Sequence, residues 1–175
     1  PTFSLQRTQE MLRLLWEMNL NIPIYLDSPL ALKICNIWDN KHFCTSVMEN
    51  PYLRIIRSWE ESQVLRQSNE HCIILSASGF LNGGRVVAHL KTLLPDSHNH
   101  IIFIGYSGEN NLASQIKSNV KEVTVDGEVI KNLANITDLR SFSSHASYEE
   151  LMDYYSSLRF NKLCLVHGNY NDKVE

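Results

Sequence analysis

An apolar run of strand length, Ile73, Ile74 and Leu75, opens into Ser76, Ala77, Ser78, Gly79, Phe80, Leu81, Asn82, Gly83, Gly84 and Arg85. That small-residue stretch feeds Val86, Val87, Leu90, Leu93 and Leu94 at helical spacing. No other part of the chain limits the fold so tightly. Strand, loop and helix in that order put free backbone N–H groups and the positive end of a helix dipole at the C-terminal edge of a parallel sheet, where phosphate is readily held. Ser76, Ser78 and Asn82 add side-chain donors, and Arg85 adds a charged fork suited to phosphate. A serine and glycine loop is also the ordinary way to join strand to helix, so the residues alone leave anion site and plain connection evenly matched. The spacing fits neither the dinucleotide fingerprint nor the Walker loop, because no Lys-Ser or Lys-Thr follows the glycines and no third glycine falls in place.

The same order recurs along the chain. Arg7 to Met18 alternates Met11, Leu12, Leu14, Leu15 and Met18 with charged residues, an amphipathic helix that Thr8 or Ser4 could cap. Ile22 to Leu26 reads as a short buried strand, and Asp27 or Ser28 as the cap of a helix over Leu30 to Trp38, with Pro29 in its first turn. Capping is the preferred role for Asp27. Between Asn40 and Gln67, Ser58 with Glu61 forms a capping box for one helix, and Arg54 to Arg57 suits a short strand. Asn99 to Ile104 is a second continuous apolar strand, followed by a loop from Gly105 and a helix through Leu112 and Ile116. Val123 to Ile130 is a hairpin, since Asp126 and Gly127 accept the positive φ values of a tight primed turn. Ala134 to Leu139 is a further strand. Ser147 and Glu150 cap a last helix with Leu151, Tyr154, Tyr155 and Leu158 on its buried face, and Leu163 to Val166 is a final buried strand. The alternation predicts an α/β fold, a mainly parallel sheet with helices on both faces, carrying the hairpin as an antiparallel appendage.

At 175 residues and 43% hydrophobic content, one substantial core is the expectation. No apolar run is long enough to span a bilayer and no signal peptide is legible, so a soluble, cytoplasmic protein without a membrane partner is expected. The start at Pro1, with helical signal almost at once, reads as an excised piece or a processed chain. Cys35, Cys44, Cys72 and Cys164 form no C-x-x-C pair and lie mostly in apolar surroundings, which suggests buried reduced thiols. A net charge of -3 gives no sign of a nonspecific nucleic-acid binder. His42, His71, His89, His98 and His100 have no partners at zinc-ligand spacing and read as ordinary surface or helix residues. His145, ahead of a helix, and His167, at the end of a strand, stand where sites in parallel sheets collect. Taken singly, a structural role is the more ordinary reading of each.

Six stretches, in order, change that balance. They are Phe3 to Glu10, Pro23 to Ala31, Ser76 to Phe80 with Gly83, Gly84 and Arg85, Gly105 with Tyr106, Phe142 to His145, and Leu165 to Gly168. Together the chain resembles the β-CASP subgroup of metallo-β-lactamase-fold nucleases, which includes the endonuclease subunit of pre-mRNA 3′-end processing and the RNase J enzymes. The resemblance implies a β-CASP domain over residues 1–140 and a partial return into the lactamase fold over 141–175. It implies that His145 is catalytic, that His167 is a zinc ligand, and that Ser76, Ser78, Gly79, Asn82, Gly83, Gly84 and Arg85, with Ser143 and Ser144, line an RNA cleft. The full-length parent would use two zinc ions on single-stranded RNA, with a homo-oligomeric parent left open. In two respects the chain departs from the family. Gln6 stands where members carry a glycine, and the H-x-H-x-D-H motif, a further metal histidine and the bridging aspartate are absent. With one ligand of its own, this piece is expected to hold no zinc and to be silent by itself. A metal-free RNA scaffold and a small phosphate or nucleotide binder are the competing readings.

Overall fold

The computed structural model describes residues 1–37, 45–106, 108, 111–139, 142, 145–164 and 166. The chain divides into two compact units, Pro1–Phe142 and Ser143–Glu175. In the first, β1 (Ile24–Asp27) is the middle of a three-stranded parallel sheet, flanked by β2 (Leu53–Ile55) and β3 (Ile73–Ser76). Register sets Ile24 opposite Leu53 and Ile73, and Asp27 opposite Ser76. The helices of this half are α1 (Arg7–Glu17), α2 (Pro29–Ile37), α3 (Thr45–Met48) and α4 (Trp59–Gln67). Leu12 and Leu15 of α1 close one core with Ile24, Leu26, Ala31, Cys35, Val47 and Leu75. Full burial of each large aliphatic side chain there stabilises by about 1.5–3 kcal/mol.

From β3 the chain runs into α5 (Arg85–Leu93), then β4 (His100–Ile104) and α6 (Leu112–Lys117). The hairpin β5 (Glu122–Val125) and β6 (Glu128–Lys131) follows, and β7 (Asn135–Leu139) pairs in parallel with β4. Val86, Val87, Leu90 and Leu94 turn away from the first core into a second one, built with Ile101, Phe103, Ile116, Val123 and Val125. The loop after β3 therefore spans the step from one core to the next. Among the described residues the parallel strands form two ladders, β2-β1-β3 and β4-β7, in place of one continuous sheet.

Several local expectations need correction. The start of α1 has Gln6 at the capping position and no side-chain cap; Thr8 instead gives its hydroxyl to the Phe3 carbonyl at 2.7 Å. The short α3 has no periodic signal to announce it. In the second unit, Ser147 and Glu150 do form a reciprocal capping box at the head of α7 (Tyr148–Ser157), yet no residue of α7 is buried. Leu151, Tyr154 and Leu158 are exposed, because this unit supplies α7 with no apolar layer among its described residues. Leu163, Cys164 and Val166 are exposed and not in a strand, so Cys164 is not a buried thiol; Cys35 is buried and Cys72 half-buried. His42, Cys44 and Leu165 lie outside the described residues.

Candidate functional site

Three segments meet at the C-terminal edge of the three-stranded sheet. Thr2 donates its backbone N–H to the Ser76 carbonyl at 3.0 Å, which fixes Thr2 at the end of β3. Phe3 then packs edge-on against Phe80 with ring centroids 4.9 Å apart. A side chain at Gly79 would place its Cβ 2.9 Å from the Phe3 ring, so glycine is what lets the loop close on that ring. Ser4 and Ser28 bring their hydroxyls to 3.5 Å, and the Ser28 hydroxyl accepts from the Ala31 N–H at 3.2 Å. Ser28, then, caps α2.

Asp27 is not the cap. Its carboxylate is fully buried, at 0% exposure, and receives three side chains. Arg85 Nη1 donates to Oδ1 at 2.7 Å, the Ser62 hydroxyl donates to Oδ2 at 2.5 Å, and His89 Nε2 lies 2.6 Å from Oδ2. Burial pushes the Asp27 carboxyl up, but the hydrogen bonds from His89, Ser62 and Arg85 together outweigh it and hold the group below its ordinary value. Arg66 Nη1 in turn donates to the Ser62 hydroxyl at 2.7 Å. His89, at 3% exposure, is thus no ordinary surface histidine; it ties α5 to the end of β1.

The expected phosphate-binding residues separate into two kinds. Ser76 is buried and donates its hydroxyl to the Asp27 carbonyl at 2.8 Å, so it braces the loop from beneath. Arg85, with its side chain 11% exposed, also donates to the carbonyls of Ile56 and Arg57, each at 3.2 Å, and its fork is largely spent inside the protein. The others form the loop surface. Ser78 Oγ accepts from the Asn82 N–H at 3.2 Å, and the Asn82 side chain is exposed. Gly83 has open space around it, while Gly84, at φ +83, would put a Cβ 2.8 Å from the Ala77 carbonyl oxygen. That edge can bind and orient; the buried carboxylate beneath it has no access to a substrate. His145 lies in the second unit, exposed, on the stretch before α7. Ser143, Ser144 and His167 lie outside the described residues, and so does the expected convergence of His145 with His167. Among the described residues no three His, Cys, Asp or Glu gather closely enough to hold a metal ion, so they do not fit zinc by themselves.

A buried polar clamp at the C-terminal edge of a parallel sheet, under a glycine loop and beside a helix start, belongs to an α/β domain. Its family follows from comparison with known proteins. The Beta-Casp domain model matches residues 8–116, and the model for the Zn-dependent metallo-hydrolase RNA specificity domain matches residues 130–175. The chain belongs to the Beta-Casp family. It is 32% identical over 183 residues to Ribonuclease TTHA0252 of Thermus thermophilus, across 96% of this chain and 42% of that protein. It is 32% identical over 198 residues to Transcription termination factor FttA of Pyrococcus horikoshii, across 96% of this chain and 29% of that protein. The FttA of Thermococcus kodakarensis is 30% identical over 191 residues. The chain thus spans less than half the length of these curated relatives.

Proposed function

We propose that this chain is the RNA-guiding part of a zinc-dependent hydrolase that cleaves RNA phosphodiester bonds. The observation that carries the reading is the loop of residues 77–84, fixed from below by Ser76 and Asp27 and from the side by Phe3, which presents Ser78, Gly79, Asn82, Gly83 and Gly84 at a strand-end edge. It is supported by the match of one family model to most of the first unit and of an RNA specificity domain to residues 130–175. A relative named as a ribonuclease points the same way. The loop would bind the sugar-phosphate backbone of a single strand, with small residues admitting the phosphates closely. His145 is assigned to donate a hydrogen bond to a phosphoryl oxygen or to protonate the leaving oxygen, and Ser143 and Ser144 to contact the same backbone. His167 is assigned as the chain's own zinc ligand in a parent that holds two ions. Other ligands would come from the rest of the parent, so the 175-residue chain is expected to be inactive alone.

The test compares zinc content and cleavage of a single-stranded RNA by this chain and by its full-length parent. Expected are bound zinc and cleavage in the parent and neither in the chain. Comparable cleavage by the chain would overturn the assignment of the missing ligands, and a parent that binds RNA without cutting it would make the protein a scaffold.

A further inference from the structure

Among the asparagines of the chain, Asn82 alone is followed by a glycine. Its place in the loop leaves both partners of a ring closure unengaged. The Asn82 carboxamide is exposed and makes no hydrogen bond among the described residues, and the Gly83 N–H makes none there either. Gly83 has no Cβ and open space where one would stand, so its nitrogen is not screened from that side. The neighbours on both sides are held. Leu81 is buried and donates its N–H to the Ser78 carbonyl at 3.3 Å, and Gly84 lies against the Ala77 carbonyl. Elsewhere the same side chain is tied down. Asn50 accepts from the Tyr52 N–H at 2.8 Å and precedes Pro51, which has no N–H to react. Asn99 and Asn135 donate Nδ2 to the carbonyls of Leu93 and Ser97 at 3.1 and 2.8 Å, and Asn132 donates to those of Ile116 and Val120 at 3.2 and 3.0 Å.

We infer that Asn82 is a self-modification site, at which attack by the Gly83 nitrogen on the side-chain amide turns the residue into an acid. The Gly83 N–H gives its proton to solvent base, and its nitrogen forms a bond to Cγ of Asn82. The Cγ–Nδ2 bond then breaks with release of ammonia, which leaves a succinimide ring. Water opens that ring at either carbonyl, giving an aspartate or an isoaspartate whose main chain runs through Cβ. Nothing is oxidised or reduced, and water is the only co-reactant. Both products put a carboxylate on the loop of residues 77–84 in place of an amide that can donate. The chemistry stands on the loop alone; its consequence rests on the RNA-guiding reading, which assigns phosphate to this edge. A neutral donor there becomes an anion, so the loop repels the polyanion it would otherwise hold.

Incubation of the full chain in neutral and in mildly alkaline buffer, followed by peptide mass mapping and ion exchange, reads the modification. Expected is the mass gain of replacing NH2 by OH, first in the peptide that holds residue 82, faster in the alkaline buffer and matched by a more acidic species. Asn82→Gln should show no gain at that position, because the longer side chain closes its larger ring far more slowly. A folded chain that keeps its amide at 82, while a synthetic peptide of residues 77–86 converts, overturns the inference, since the loop then holds the amide away from the nitrogen. Conversion first at another asparagine overturns it too. Binding of a labelled single-stranded oligoribonucleotide, measured by anisotropy, reads the consequence. The acidic fraction and Asn82→Asp should each bind about five- to tenfold more weakly than the fresh chain. Modification at 82 with binding unchanged would leave the site standing and remove the loop from the RNA path. A fresh chain that binds no oligoribonucleotide would sink the RNA-guiding reading, and the mass map would still decide the modification.

Discussion

Gln6 occupies a backbone position that its side chain disfavours. The Leu5 carbonyl accepts from the Arg7 N–H, which closes a three-residue turn with Gln6 at φ 64 and ψ -53, the strained form of that turn. Only glycine takes that conformation freely, so Gln6→Gly should stabilise the chain by about 0.5–1 kcal/mol in chemical denaturation, after the loss from a more flexible unfolded chain. Asp27 shows the reverse situation. Asp27→Asn removes the charge that three buried groups were built around and should cost about 3 kcal/mol at neutral pH. Because the carboxyl is held below its ordinary value of 3.8, its contribution is fully present above that value and is lost as pH falls through the lower folded value. Denaturation midpoints taken from pH 7 down to pH 2 should therefore fall less steeply in Asp27→Asn than in the unmodified chain, and parallel curves would rule the linkage out. This part of the site was only partly legible beforehand. An aspartate ahead of Ser28 and Pro29 looks like a cap, and its partners lie 35 to 62 residues away, beyond any local spacing rule. One signal was present. His89 falls on the stripe of Val86, Leu90 and Leu93, so the periodicity that buries those residues buries an imidazole with them.

Elements with strong local chemistry were legible in the chain. The Asp126 and Gly127 turn takes φ 48 and 79 and makes the hairpin, Ser58 caps α4, and Ser147 with Glu150 caps α7, because each depends on residues within a few positions of one another. The pairing of β4 with β7 and the split into two ladders depend on long-range packing that no window of sequence contains. The loop between β3 and α5 joins both regimes. Its glycines announced a tight connection, but the clamp by Arg85 on β1 and on the end of β2 is tertiary. Gly84→Ala tests the element as a unit, since it forces a Cβ against the Ala77 carbonyl at a positive φ. It should cost about 2 kcal/mol or more in stability, whereas Gly83→Ala, with open space at its site, pays the backbone strain alone and should cost less. Equal losses at the two positions would mean that the contact with Ala77 is relieved by movement of the loop.

On the scale of the whole molecule, the two units are supported very differently. Among the described residues both hydrophobic cores are built from side chains no later than Ile136, so the first unit closes its apolar layers with its own side chains. The second unit carries a well-capped helix with Tyr148, Leu151, Tyr154 and Leu158 exposed and no buried residue along it. A helix of 10 residues with no buried side chain along it opens at little free-energy cost, since most helical stability comes from packing of an apolar face. Limited chymotrypsin digestion should therefore cut first at Tyr148, Tyr154 and Phe160 and leave a resistant product containing residues 1–142. That product should melt at the same temperature as the longer chain, because none of the described residues it loses belongs to either core. Cleavage first within α1 or α5, or a product that melts well below the parent chain, would show that residues beyond 142 contribute to the stability of the first unit.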